Sequence, residues 1–255
     1  MHDVAIVGAG PVGATLALAL ADANLDIVIV DARPAGETTR ADRTLALSHG
    51  ARLILERLGV WTPLAAANGA VTPIVTIDVS QARGFGALQL TAAEHGLPAL
   101  GYVVSYRALQ RLLDETLMRA GLRVRFGVSV RAVTGSRDAA TIDLGEQPDA
   151  QVLARLAVVA DGAASSVPGI ARRRHDYGQV AIVAKISLDR PHHGIAYERF
   201  TTDGPVALLP ERDHYALVWT RKPADAAHTL ALSESAFLAA LAAHFGSRVR
   251  GFTHA

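Results

Sequence analysis

The residues best suited to chemistry gather at the start of the chain. Gly8-Ala9-Gly10-Pro11-Val12-Gly13 follows the apolar run Val4 to Val7, and Asp31 closes a second apolar run, Ile27 to Val30. For a dinucleotide, each part has a physical task. Gly8 makes the tight turn, Gly10 lets a pyrophosphate approach the backbone, and Gly13 lets helix and strand pack closely. A helix opening at Pro11 and Val12 would turn unpaired N–H groups and a positive dipole end toward the phosphates. Asp31 lies 18 residues past Gly13, close to the spacing of roughly 20 residues expected for the acid that accepts from the adenosine ribose. The alternative is an ordinary glycine turn in an α/β fold, but here both flanks also match the dinucleotide pattern. A second acid–glycine pair, Asp161-Gly162, ends the apolar stretch Leu156 to Ala160 and could reach the same ligand.

Other candidate groups are more ambiguous. Ala32 opens a loop carrying Arg33, Arg40 and Arg43, which either neutralise a phosphate or form a solvated segment. The ten histidines show no zinc-type spacing, and His192-His193 reads as a turn after Pro191. Cysteine is absent, which excludes disulfides, iron–sulfur ligation and a thiol nucleophile, and no Ser/His/acid set is visible. No residue is therefore assigned a catalytic role, and no metal is expected.

The elements that must position these groups follow from periodicity. Strand, glycine turn, helix and strand account for Val4 to Asp31. A helix is expected from Ser48, with Leu53, Leu55 and Leu58 on its apolar face and Gly59 as its end. Ile74 to Val79 and Leu88 to Leu90 read as two strands joined through Arg83-Gly84-Phe85-Gly86. From Tyr106 the helical period returns with Leu109, Leu112, Leu113 and Leu117, capped by Gly121. Strands are expected over 123–126, 128–133, 141–144 and 156–160, then an antiparallel set over 180–188, 195–201, 206–209 and 215–220. Ser233 can cap a last helix with Phe237, Leu238, Leu241 and Phe245 on its face, before a final strand near Arg248. The fold class is α/β with α+β elements: a Rossmann-like dinucleotide domain with a parallel sheet (1–72 and 100–177) interleaved with a mixed or antiparallel-sheet domain (73–99 and 178–255).

Composition sets the outer limits. A chain of 255 residues, 50% hydrophobic and 19% charged, can bury a full core. A net charge of +1 gives no global field for nucleic acid, and Arg172-Arg173-Arg174 is short and local. The uncharged stretch Val4 to Ala21 lacks a basic start and is broken by glycines and a proline, so neither a signal peptide nor a membrane span is expected. A cytoplasmic protein, at most peripheral to a membrane, is the expectation.

Several stretches together resemble one family. GAGPVG with its acid, "DRTLALSHGARLILERLGVW", "LGYVVSYRALQRLL", "DGAASSV" and "AYERFTTDGPVALLP" are similar to the FAD-dependent aromatic hydroxylases of ubiquinone biosynthesis. These 2-polyprenylphenol hydroxylases belong to the para-hydroxybenzoate-hydroxylase class of flavoprotein monooxygenases. The resemblance covers nearly the whole chain, and the YERFT stretch is its most specific part.

The resemblance implies an FAD domain and a substrate domain, NADPH or NADH as co-substrate, and a polyprenylated phenol as substrate. It also implies Gly8, Gly10 and Gly13 at the pyrophosphate, Asp31 at the ribose, and Arg43 and Arg107 toward FAD. By the same resemblance Val130 lies by the adenine, and Asp161-Gly162 near the pyrophosphate. Contact with other ubiquinone-biosynthesis proteins and with the inner membrane surface would follow from a lipid-tailed substrate.

Two departures stand out. The second fingerprint keeps Ser165 and Val167 but has Pro168 where the family has arginine. Family members also continue past this length, through a glycine–aspartate motif and a loop against the flavin ring. The expectation for the chain as it stands is therefore weak FAD binding or none, and no activity alone. Two other readings stay open: an NAD(P)-dependent reductase using the same turn, and a non-catalytic module for assembly or for carrying a quinone-like lipid.

Overall fold

The computed structural model describes residues 1–37, 43–84, 86–146, 149–162, 167–168 and 170–255. In chain order the elements are β1 (His2–Val7), α1 (Pro11–Leu20), β2 (Ile27–Asp31), β3 (Thr44–Ser48), α2 (His49–Arg57), α3 (Trp61–Ala66), β4 (Val71–Ile74), β5 (Thr76–Gln81) and β6 (Ala87–Thr91). There follow β7 (Gly101–Ser105), α4 (Tyr106–Arg119), β8 (Arg123–Phe126), β9 (Ala132–Gly135), β10 (Ala140–Asp143) and β11 (Gln151–Val159). The chain closes with β12 (Val180–Leu188), β13 (Ile195–Phe200), β14 (Val206–Glu211), β15 (His214–Arg221), α5 (Pro223–Leu230), α6 (Glu234–Phe245) and β16 (Phe252–His254).

These elements form two compact units. The first comprises Met1–Arg43, Ile54–Ala66 and Tyr106–Arg174; the second comprises Thr44–Leu53, Ala67–Ser105 and His175–Ala255. Compared with the boundaries read from the sequence, Thr44–Leu53, Ala67–Thr72, Leu100–Ser105 and His175–Tyr177 group with the second unit. The reason for the first three is hydrogen bonding: β3 and β4 each pair antiparallel with β7, making a three-stranded sheet whose strands come from these segments.

The first unit is built on a six-stranded sheet in the order β8-β2-β1-β11-β10-β9. β8, β2, β1 and β11 run parallel, while β10 and β9 join antiparallel, so the sheet is mixed rather than wholly parallel. Val4 to Val7 and Ile27 to Val30 are buried, as the continuous apolar runs of a two-sided parallel sheet should be. Ile6 and Ile29 are fully enclosed, each contributing about 1.5–3 kcal/mol. Helix α4 buries Leu109, Leu112, Leu113 and Leu117, the stripe set by its sequence, and Gly121 ends it with φ +68°.

In the second unit a seven-stranded sheet runs β16-β12-β15-β14-β13-β5-β6. One face packs Ile186, Leu208, Leu217 and Trp219 against Phe237, Leu241 and Phe245 of α6. On the other, Ala196 packs with Ile74 and Val103 of the small sheet, and Ile77 and Leu209 border that cluster. Period-2 alternation decides the sides: in β13, Tyr197 joins the helix-covered core and Ala196 the opposite one. Ser233 caps α6 by accepting from the Ala236 N–H, and the β5–β6 hairpin forms as expected, with Phe85 of its turn outside the described residues.

Several expectations need correction. Residues 128–131 are not strand, because the Val128 and Gly127 N–H groups donate to the carbonyls of Asp31 and Arg33 and pull this segment off the sheet edge. Leu53 is 45% exposed, so the apolar face of α2 is carried by Leu55. β3, α3, β7 and α5 were not anticipated, and the strand expected over Ile74 to Val79 is split between β4 of the three-stranded sheet and β5 of the seven-stranded one.

Candidate functional site

The first unit assembles its site where β1 and β2 end. Gly8 takes φ +100°, and a β-carbon there would lie 2.6 Å from the Ala160 carbonyl oxygen. At Gly13 an added carbon would overlap the Gly8 carbonyl oxygen. Both glycines are thus forced by close backbone approach. Gly10 differs: its φ is −64° and nothing lies within 4 Å of where its β-carbon would be. It is the N-cap of α1 with no side-chain cap, and Pro11 follows without an N–H. Helix geometry leaves the Val12 and Gly13 N–H groups without intrahelical partners, facing the open ground over Gly10.

The turn is held by a closed ring of polar contacts. Asp31 Oδ2 accepts from the Ala9 N–H at 2.5 Å and Oδ1 from the Arg33 N–H at 2.7 Å. The Ala9 carbonyl accepts from Gln110 Nε2 at 2.8 Å, and the same Nε2 donates to Asp114 Oδ1 at 2.9 Å. Asp114 then takes both terminal nitrogens of Arg33, at 2.8 and 2.9 Å, which returns the ring to Asp31. The bidentate hydrogen bond with Asp114 raises the Arg33 pKa above the ordinary arginine value. Both neighbours of Gln110 Nε2 are acceptors, which fixes the amide orientation and leaves Oε1 buried without a partner among the described residues.

Beside the ring lies a cavity of about 290 Å³ walled by Val7, Gly8, Asp31, Ala32, Val130 and Asp161, among others. It sits at the carboxyl ends of parallel strands, where open α/β sheets bind ligands. Asp161 follows β11, whose Val159 pairs with Val7, so the two acid-bearing turns meet as the sequence implied. Arg172 donates to Asp161 Oδ1 at 2.9 Å and to the Gly162 carbonyl at 3.3 Å.

Of the predicted positions, Gly8, Gly10, Pro11, Val12, Gly13, Asp31, Ala32, Val130, Asp161 and Gly162 come together around this cradle. Arg33 belongs to it through its backbone and its pairing with Asp114, so its guanidinium is committed to a carboxylate rather than offered to a phosphate. Arg43 stacks its guanidinium over Tyr106, 4.3 Å from the ring centroid, and Arg107 is exposed in the first turn of α4. Arg40 and Ser165 lie outside the described residues. The sequence reading missed Gln110 and Asp114; their i, i+4 spacing on α4 was the available signal. Among the described residues no group of three or more His, Asp or Glu side chains could hold a metal ion.

The family described as FAD binding domain matches residues 1–249. The chain belongs to this FAD-binding family.

The FAD-binding chain is similar to known proteins along nearly its whole length. It is 33% identical to the ubiquinone hydroxylase UbiL of Rhodospirillum rubrum, over 97% of the chain and 58% of that protein. With the 3-demethoxyubiquinol 3-hydroxylase of Escherichia coli it shares 30% identity, over 97% of the chain and 64% of that enzyme. The chain thus spans about three fifths of the length of these relatives. Among solved structures, Pseudomonas aeruginosa PqsL in complex with 2-aminobenzoylacetate superposes with a TM-score of 0.74 at 18% identity, covering 100% of the chain and 73% of PqsL. A single-substitution variant of Klebsiella pneumoniae HpxO complexed with FAD gives 0.66 at 19% identity, covering 99% and 64%. At these identities the likeness is one of fold.

The residues present suit FAD. The ground over Gly10, which a β-carbon would fill, lies before a helix N-terminus with free N–H groups, as a pyrophosphate requires. The apolar walls of the cavity and Asp31 at its edge suit an adenosine.

Proposed function

We propose that this chain is the FAD-holding and ring-binding part of an aromatic-ring monooxygenase that uses NADH or NADPH and acts on a polyprenylated phenol in ubiquinone biosynthesis. The observation that carries the reading is the open cradle over Gly10, in a chain similar to ubiquinone hydroxylases over 97% of its length. In this reading the first unit is the FAD domain and the second the substrate domain.

The work of the chain's own residues follows from the geometry. Gly10 and the start of α1 bind the pyrophosphate, and Asp31 fixes the ribose with the lone pairs left after it accepts from Ala9 and Arg33. Val130 and Val7 wall the adenine. The Gln110–Asp114–Arg33 ring sets the turn before any ligand arrives, so ordering costs are met on folding rather than on binding. When bound, FAD supplies the redox chemistry linking NAD(P)H oxidation to oxygen transfer. In the second unit, apolar strands exclude water from the aromatic ring. No helix among the described residues is long and apolar enough to cross a membrane. We place the enzyme at the membrane surface, beside other proteins of the pathway, on the strength of its lipid-tailed substrate.

A thermal-shift titration with FAD, ADP and NADPH tests the reading. A ligand that binds only the native state adds RT ln(1 + [L]/Kd), about 2.7 kcal/mol at a hundredfold excess over Kd. Stabilisation by FAD and by ADP, with less from NADPH, is the expected result, because the cradle presented is that of the adenosine and pyrophosphate half; it would overturn the expectation, drawn from the sequence, of weak FAD binding or none. A shift with NADPH alone would replace the proposal with an NAD(P)-dependent reductase.

A further inference from the structure

The YERFT stretch is the most family-specific part of the sequence, and the cofactor site does not use it. It forms β13, whose Ala196, Glu198 and Phe200 point away from the helix-covered core of the second unit. They look into a cavity of about 430 Å³ bounded by Ile77 and Val79 of β5, Leu209 of β14, and Leu47 of the small sheet. The size fits an aromatic ring with the beginning of a hydrocarbon tail. Its lining is mostly apolar, with the aromatic Tyr197 and Phe200 among aliphatic residues, and carries Ser48 and one carboxylate. Glu198 stands in register between Val79 on one side and Ala207 on the other.

Among the described residues the Glu198 side chain has no hydrogen-bond or ion-pair partner. Every other charged group on this strand and its neighbours is engaged elsewhere: Arg199 with Ser80 on the opposite face, Asp78 with Arg248, and Glu211 with Thr44 and His214. Burial alone moves the Glu198 carboxyl above the ordinary range, as expected of an acid whose charge nothing compensates. A half-buried carboxylate left unpaired beside apolar walls loses part of its hydration, so a ligand that donates to it gains affinity from that deficit.

We propose that Glu198 is the specificity residue of this pocket: its carboxylate accepts a hydrogen bond from the hydroxyl of an uncharged phenol and turns away rings that carry a carboxylate. The identity of the ligand rests on the ring-hydroxylase reading above. The proton stays on the phenol, whose pKa of about 10 makes it the weaker acid, so the contact orients the ring and is not a proton transfer. Charge then sorts substrates: a hydroxyl donor is held, while an anionic ring meets a like charge at a half-buried site, where water screens the repulsion only in part.

Calorimetric titration of the 255-residue chain with three probes tests this: 2-prenylphenol, prenylbenzene without the hydroxyl, and 3-prenyl-4-hydroxybenzoate. The phenol should bind roughly tenfold more tightly than prenylbenzene, the range of a charge-assisted hydrogen bond, and the hydroxybenzoate should bind weakest. Glu198→Gln should raise hydroxybenzoate affinity about tenfold and leave prenylbenzene unchanged. Val79→Ala, on the same face, should weaken all three together. Equal binding of phenol and prenylbenzene to the unaltered chain, or no binding of any probe, overturns the proposal without any variant. FAD binding is measured on the same sample. Phenol selectivity without FAD binding would keep Glu198 and remove the flavin reading, whereas FAD binding without selectivity would do the reverse.

Discussion

The two units build their sites by opposite means. In the first, the cradle is mostly backbone: glycines bring main-chain atoms into contact, and Asp31, Gln110, Asp114 and Arg33 tie the turn from one side of the unit to the other. At Gly8 and Gly13 no side chain can be accommodated. In the second, the proposed pocket is a sheet face of mostly apolar side chains around one acid, and any branched residue of similar volume at its aliphatic positions would keep its shape. Substitutions should therefore act almost all-or-none in the first unit and by degrees in the second.

The largest effect expected is at the glycine turn. Gly13→Ala forces a carbon into the Gly8 carbonyl, and because backbone cannot swing aside, the loss should be at the upper end of overpacking costs, about 3 kcal/mol. Gly10→Ala meets no atom within 4 Å, so thermal unfolding should stay within about 1 kcal/mol of the parent, while FAD binding weakens at least roughly tenfold. Denaturant unfolding and FAD titration of the two variants check the contrast. If Gly10→Ala binds FAD normally, the pyrophosphate does not lie over Gly10.

Next in size is the ring. Asp114→Asn leaves the Arg33 guanidinium without its carboxylate at a site where both side chains are largely enclosed, 17% and 13% exposed. The cost should be about 2 kcal/mol, with weaker FAD binding although Asp114 touches no part of the proposed cofactor site. An unchanged FAD affinity would show that the turn holds its shape without the ring, and would bring the two units closer in kind.

What the sequence disclosed follows the same division. The glycine turn, Asp31 and the acid–glycine pair are local patterns with a fixed spacing, and in the fold all three lie at the carboxyl ends of β1, β2 and β11. The ring was not legible, because Ala9 and Gln110 are 101 positions apart and only the fold brings them together. The strand expected at 128–133 failed because Val128 answers to the Asp31 carbonyl, again a contact made by the fold. α5 escaped notice because PADAAHTL has no apolar stripe, although Pro223 and Asp225 in its first turn were usable start signals. In the second unit the alternation of β12 to β15 gave strands and faces directly. That Glu198 would stand alone was not legible, since alternation tells which side a residue takes and not who meets it there.

The smallest expected effect concerns pH and separates the units by their histidines. The first unit contains only His2, while His244 of the second packs edge-on against Trp219 at 5.0 Å. Burial, and then the nearby Arg221, with Arg199 adding and Asp203 opposing, holds the His244 pKa below the ordinary histidine value. The unfolded chain therefore binds more protons than the folded one in the interval below about 6.5. The contribution of neutral His244 is complete above that pH and is lost as the pH falls toward the depressed folded value. Trp61 lies in the first unit and Trp219 in the second, and the chain has 2 tryptophans, so fluorescence in a Trp61→Phe background reports on the second unit alone. Its melting temperature should decline from pH 7 to pH 5, and His244→Phe, which can keep the edge-on contact with Trp219, should flatten that slope. A slope unchanged by His244→Phe would locate the acid sensitivity in carboxylates of the second unit and remove histidine from the comparison.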